Sequence, residues 1–210
     1  MARIGLLGGS FNPAHLGHLH ISRIALERLK LDHVWWLVSP QNPLKSTDGM
    51  GAYDERLAAA RAVAKDEPRI EVSDFEREAG TRYTIDTLQA LRRHYPEHRF
   101  VFLMGADLFI QLPRWRSWTA ILRTVPIAIF PRPSYSNRAL SSRAARRFAA
   151  FRVPEIRAHR LANASPPAWA YVPATTDPSS ATLIRRSRSL SPKRAKLGEV
   201  TIGIERRPTP

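Results

Sequence analysis

Three short strings in this chain carry side chains suited to holding phosphate. The first is Gly8-Gly9-Ser10-Phe11-Asn12-Pro13, followed by His15-Leu16-Gly17-His18. Glycines after an apolar run let the backbone turn tightly and present N–H groups to an anion. A helix opening next would add the positive end of its dipole. His15 and His18 are three apart, so they share one face of the first helical turn and bring two imidazole donors together. A plainer reading is a tight glycine turn followed by two surface histidines, and a lone Gly-Gly pair would support no more. A zinc site is a third reading, and it lacks an evident third ligand nearby. The whole string, G-G-S-F-N-P-x-H-x-G-H, favours the phosphate cradle.

The second string is Ser180-Ala181-Thr182-Leu183-Ile184-Arg185. Hydroxyls at a helix start can cap its open N–H groups. Arg185 lies three residues past Thr182 on the same helix face, so hydroxyls, N–H groups and a guanidinium would converge in a triphosphate grip. The third is Gly105-Ala106-Asp107, at the end of an apolar run. Its carboxylate is placed to accept from ribose hydroxyls or to cap a helix.

Strands and helices alternate around these strings. Arg3–Leu7, Val34–Val38, Ile70–Val72, Phe100–Met104, Val125–Phe130 and Tyr171-Val172 read as strands. Residues 17–30, 53–65 and 84–94 read as helices, and 180–188 should open another. In the first helix Leu19, Ile21, Ile24, Ala25, Leu26 and Leu29 form most of a buried face. Strand, crossover helix, strand, repeated, implies a parallel sheet covered on both faces. Ligands bind such sheets beyond the C-terminal ends of the strands, and each string above follows a strand.

The 210 residues suffice for one α/β domain. No apolar run is long enough to span a bilayer, no signal-peptide pattern opens the chain, and there is no cysteine. The expected compartment is the cytoplasm. The formal charge of +15 is uneven: residues 1–137 hold 18 Lys and Arg against 14 Asp and Glu, and residues 138–210 hold 15 against 4. The basic C-terminal third suits nucleic acid, phosphorylated substrates or a solvated surface. No aromatic residues are interleaved to stack bases, so a nucleic-acid partner is not expected.

Gly8 to His18 resembles the signature of the HxGH nucleotidyltransferases, which join a nucleoside triphosphate to a phosphate-bearing acceptor. It differs from the dinucleotide G-x-G-x-x-G and from the P-loop, whose G-K-[ST] is absent. Ser180–Arg185 resembles that family's C-terminal I-S-x-T-x-x-R, with Ser179 in the isoleucine's place, and Gly105–Asp107 resembles its G-x-D. Four more segments resemble the nicotinate-nucleotide adenylyltransferases, in their order: Asn42-Pro43-Leu44-Lys45, Arg82–Leu88 (S-Y-T-x-x-T-L in the family), Pro113-Arg114-Trp115 and Pro131-Arg132-Pro133. Singly, each has an ordinary alternative: Trp115 in the core, Thr84 as an N-cap, Lys45 as a solvated charge. The resemblance covers roughly residues 3–187. Two departures are Arg116, where an aromatic is common, and the region after Arg188, unlike the family's closing helix.

The resemblance implies transfer of AMP from ATP to nicotinate mononucleotide, giving deamido-NAD and pyrophosphate. Gly8, Gly9, Ser10, Phe11, His15, His18, Gly105, Asp107, Ser180, Thr182 and Arg185 would meet ATP, with His15, His18 and Arg185 catalytic. Ser10, Asn42, Lys45, Tyr83, Thr84, Trp115, Arg116 and Arg132 would meet the mononucleotide. Mg²⁺ would arrive with ATP, because no dedicated carboxylate cage is visible. The implied fold is a Rossmann-like doubly wound parallel sheet of the α/β class, one nucleotidyltransferase domain over residues 1–187 with a basic, loosely ordered tail at 188–210. A sibling transferase with another acceptor, such as phosphopantetheine, and a basic nucleic-acid-binding protein on the same fold are the alternatives.

Overall fold

Apolar runs rich in Val, Ile, Leu and aromatics become strands when both of their faces can be covered. In the computed structural model, which describes residues 1–40 and 49–174, the strand-like runs do so. They form β1 (Arg3–Gly9), β2 (His33–Val38), β3 (Ile70–Ser73), β4 (Arg99–Gly105), β5 (Ile127–Phe130) and β6 (Trp169–Tyr171). The helices are α1 (Leu16–Arg28), α2 (Tyr53–Ala64), α3 (Phe75–Glu78), α4 (Thr84–His94), α5 (Ala106–Gln111), α6 (Trp118–Thr124), α7 (Ser136–Leu140) and α8 (Arg143–Arg147). Short 3₁₀ segments follow at Leu112–Arg114, Ala149–Phe151 and Glu155–Asn163.

The sheet has the order β3-β2-β1-β4-β5-β6, and each neighbouring pair is parallel. Side chains alternate between its faces with period two. Val34, Trp36, Val38, Val101, Leu103, Ala128 and Phe130 join one core with α1 and α2. Ile4, Leu6, Leu37, Phe100, Phe102, Met104, Ile127 and Ile129 join the other with α4, α5 and α6. The buried face of α1 is as expected at Leu19, Ala25, Leu26 and Leu29, whereas Ile21 and Ile24 are half-buried and fully buried Ser22 fills the gap.

β1 lies between β2 and β4, and the chain leaves the two sides of β1 in opposite directions. Such a reversal opens a crevice beyond the strand ends. Gly8-Gly9 and Gly105 end the two strands that flank it. One expectation changes here. Gly8 and Gly9 do not form the turn: both belong to β1, opposite Leu37 and Val38 of β2. The chain turns instead at Phe11, whose φ is 46°.

The loops after β1 and β2 are tied together by one buried arginine. Arg56 of α2 is 3% exposed. Its guanidinium donates to the carbonyls of Ser10, Ser39 (2.9 Å), Pro40 (2.9 Å) and Gly51 (3.1 Å). Asn12 adds a second tie, donating to Gly49 O (3.0 Å) and accepting from Gly51 N (3.2 Å). Burial lowers the Arg56 pKa, the opposing effect being the Tyr53 hydroxyl, and the planar fork spreads its charge over four carbonyls. Arg56→Ala would leave those carbonyls short of donors, at a cost of about 3 kcal/mol. The melting temperature should fall by about 6–12 °C, as read by calorimetry. A fall within experimental error would show the clamp to be dispensable.

Candidate active site

The phosphate-binding candidates sit at the start of α1. His15 is its N-cap and His18 its third residue. His15 Nδ1 accepts from the Gly17 N–H at 3.1 Å, and His18 Nδ1 accepts from the His15 N–H at 3.2 Å. A ring nitrogen that accepts carries no proton, so in each neutral imidazole the proton sits on Nε2. The caps therefore orient both rings with Nε2–H as donor. The ring centroids are 3.9 Å apart, which makes the pair one binding element. No acidic residue stands in the first turn of α1, so the helix dipole is left to favour an anion.

Packing holds these rings in place. Phe11, 2% exposed, stacks on Trp36 at 5.2 Å and contacts His18 at 4.7 Å. Trp36 is fully buried and donates to Ser22 Oγ at 2.8 Å, which donates in turn to His18 O at 2.8 Å. The ring of Phe11, a residue expected to meet ATP, lies against the histidine and the tryptophan, which leaves its backbone for any such contact.

On the other side of β1 a cavity of about 400 Å³ runs from Gly8, Gly9 and Ser10 to Tyr83, Thr84, Trp115 and Arg116. It brings five of the expected mononucleotide residues together: Ser10, Tyr83, Thr84, Trp115 and Arg116. Thr84 opens α4, whose N-cap is Tyr83 with no side-chain cap. The threonine thus does not act as the N-cap; the Asp86 N–H donates to Tyr83 O at 2.9 Å, and among the described residues the N–H groups of Thr84 and Ile85 remain available to an acceptor. Trp115 stands edge-on to Phe102 at 6.4 Å. Arg116 lies over the Tyr83 ring at 4.6 Å and faces Asp86 of α4 at 3.7 Å. That pairing offsets the one acid in the first turn of α4.

Gly105 and Asp107 stand at the end of β4 with Arg132, which follows β5. A Cβ at Gly105 would meet Asp107 Oδ1 at 2.5 Å and Arg132 Nε at 3.1 Å, so any larger residue there would displace these two side chains. Asp107 Oδ1 and Arg132 Nε are 3.8 Å apart, and both atoms are buried without a hydrogen bond among the described residues. Arg132 was grouped with the mononucleotide, yet it lies beside Asp107 and not among the described residues that line the cavity. Asn42, Lys45, Ser180, Thr182 and Arg185 lie outside the described residues, as does the expected tail.

Sequence reasoning missed three residues here. Arg56 is the clamp described above. Arg114 joins Arg82 and Arg116 in the cavity wall. Glu76 of α3 is the sole acid among the described lining residues. Its carboxyl is pushed up to about 7 by burial, against the pull of hydrogen bonds from Ser39 and Thr87. Thr87 Oγ1 reaches it at 3.5 Å and also reaches Tyr83 O at 3.3 Å and Thr81 Oγ1 at 2.9 Å. Among the described residues no group of three His, Asp or Glu is arranged to hold a metal ion.

The raised Glu76 pKa has a consequence for stability. The folded state keeps this carboxyl protonated above the ordinary carboxylate range, so the unfolded state releases its proton first as pH rises. The stabilising contribution is complete below the ordinary pKa of 4.5 and is lost as pH climbs through about 7. Glu76→Gln removes the loss. Its melting temperature should exceed that of the wild type at about pH 8 and lie closer to it at about pH 5. An equal difference at both values would contradict the linkage.

A sequence model of the cytidylyltransferase-like family matches residues 6–187. A probable nicotinate-nucleotide adenylyltransferase from Parvibaculum lavamentivorans is 53% identical over 183 residues, covering 87% of this chain and 90% of that protein. Another, from Methylorubrum extorquens, is 52% identical over 183 residues, covering 87% and 98%. Among solved structures, Plasmodium falciparum nicotinic acid mononucleotide adenylyltransferase complexed with NaAD superposes with a TM-score of 0.66 at 16% identity, covering 89% of this chain and 83% of that one. At that identity the structure supports the fold alone. The two bacterial relatives carry the family: this chain belongs to the cytidylyltransferase-like nucleotidyltransferases and, within them, to the nicotinate-nucleotide adenylyltransferases.

Proposed function

We propose that this protein transfers the adenylyl group of ATP to nicotinate mononucleotide, forming deamido-NAD and pyrophosphate in NAD biosynthesis. The observation that carries the reading is a juxtaposition. The capped pair His15–His18 follows the end of β1, and the cavity holding Trp115 and Thr84 opens on Gly8, Gly9 and Ser10 of the same strand end. Donor and acceptor phosphates would meet there.

A phosphate oxygen of the mononucleotide attacks the α-phosphorus of ATP. The new P–O bond forms as the bond to the β-phosphate breaks, and pyrophosphate leaves. Both reactants are bound together, so no covalent enzyme intermediate is required. Catalysis then rests on positioning and charge stabilisation. In this reading the Nε2–H donors of His18 and His15 face the α-phosphate, where charge builds. Asp107 takes the adenosine ribose, with Arg132 beside it. Lys45 holds the acceptor phosphate, and Ser180, Thr182 and Arg185 hold the leaving pyrophosphate. A Mg²⁺ ion bound with ATP would neutralise the phosphates, its ligands being mainly phosphate oxygens and water. The acceptor ring stacks on Trp115, and its carboxylate meets the open N–H groups where Thr84 starts α4.

Four variants test these roles. His18→Ala should lower kcat by about a hundredfold or more, with ATP binding much less affected; turnover at the wild-type rate would remove the histidine from the mechanism. Arg185→Lys keeps the charge and loses the planar fork, so kcat/KM for ATP should fall while the melting temperature holds; an unchanged ATP dependence would make Arg185 a surface charge. Trp115→Ala should raise KM equally for nicotinate and nicotinamide mononucleotides, because the stack is common to both. Thr84→Pro, which removes the Thr84 N–H at a helix position that suits proline, should narrow the gap between them, a gap expected at about 30- to 1,000-fold in the wild type. Steady-state kinetics with both acceptors decides; a Trp115 effect confined to one acceptor would contradict the stacking role.

A further inference from the structure

Glu76 stands out among the groups this mechanism leaves unused. It is the sole acid among the described residues lining the acceptor cavity. Its partners are hydroxyls, Thr87 from α4 and Ser39 after β2. No described ion pair includes it, although Arg82, Arg114 and Arg116 share the cavity wall. Arg116 is engaged with Asp86 and the Tyr83 ring. On the α2 side it faces Tyr53. Arg77 of its own helix is tied to Asp54 and Asp74. A carboxyl here is therefore half-buried in the cavity wall, paired with no cation among the described residues, and one helical turn from Thr84 through Thr87.

We propose that Glu76 is a specificity-determining residue of the acceptor cavity: protonated, it donates to the carboxylate of a nicotinate ring; ionised, it repels that carboxylate and accepts from the amide N–H₂ of a nicotinamide ring. The inference rests on the proposed reaction and deepens it. Two carboxylates sharing a small cavity do not both stay ionised. Burial already favours the protonated form of Glu76, pushing its carboxyl up to about 7. By linkage, an acceptor that binds the protonated form raises that value further, and proton and acceptor strengthen each other equally. The preference for nicotinate is then a function of pH near neutrality.

The test is the ratio of kcat/KM for nicotinate mononucleotide to that for nicotinamide mononucleotide, measured from about pH 6 to about pH 8.5. Both acceptors carry the same ribose and the same phosphate, so the titration of that phosphate and of the histidines cancels in the ratio. In the wild type the ratio should fall about tenfold over this range, the equivalent of one unit of mutual pKa shift. In Glu76→Gln, which cannot ionise, it should not change with pH. Thr87→Val removes a hydroxyl that favours the ionised carboxyl, so the fall should move to higher pH. A flat wild-type ratio, or a pH-dependent fall surviving in Glu76→Gln, would overturn the assignment of Glu76 and leave the reaction standing. Absence of pyrophosphate release with either acceptor would overturn both.

Discussion

The ring of Phe11, enclosed between Trp36 and His18, is the contact on which the site depends. A phenylalanine at φ 46° is strained, by about 1 kcal/mol or more. Burial of its ring on a fully buried tryptophan outweighs that strain. The same ring presses on His18, whose Nδ1 is occupied by the His15 N–H. One side chain thus converts the end of β1 into a fixed mount for two imidazoles. A reaction that uses no covalent intermediate needs such a mount, because its rate enhancement must come from groups already in position.

The parallel sheet places two unlike surroundings on either side of this mount. Toward β4 and β5 the chain presents Asp107 and Arg132, packed over a glycine with polar atoms unmet by the described residues. Over the ends of β1, β2 and β4 it presents a cavity between Leu37 and Phe102 whose wall bears arginines and, among the described residues, a single acid. Arg56 ties the loops after β1 and β2, so the cradle and the cavity cannot drift apart independently. The crevice between β1 and β4 is where the two reactants would have to meet. That geometry follows from strand order alone.

Much of this was legible in the sequence because apolar runs and period-two alternation report directly on a sheet covered on both faces. The start of α4 at Thr84 was equally legible. The failures have physical causes. The Gly-Gly pair suggested a turn, but strand pairing with β2 extends through both glycines, and the turn falls on Phe11, where core packing overrides backbone preference. Helices α3, α5, α6, α7 and α8 were not foreseen, since four to seven residues are too few to display a helical period. Arg56 sits in an alanine-rich helix, and Glu76 in a string with several acids, so neither differs locally from a surface charge. The burial of Arg56 and the place of Glu76 in the cavity wall are tertiary facts. Arg132 adjoins Asp107 because β5 lies next to β4, which its sequence neighbours do not reveal.

The central claim is that the acceptor phosphate attacks ATP at the end of β1 and that the cavity beside it selects a nicotinate ring. Pyrophosphate release from ATP by the wild-type protein, measured with nicotinate mononucleotide, nicotinamide mononucleotide and phosphopantetheine in turn, tests it most directly. The account predicts fast release with nicotinate mononucleotide, slower release with the nicotinamide form at neutral pH, and none above background with phosphopantetheine. Equal rates with the two mononucleotides would contradict the selection, and preference for phosphopantetheine would contradict the assignment of the cavity itself.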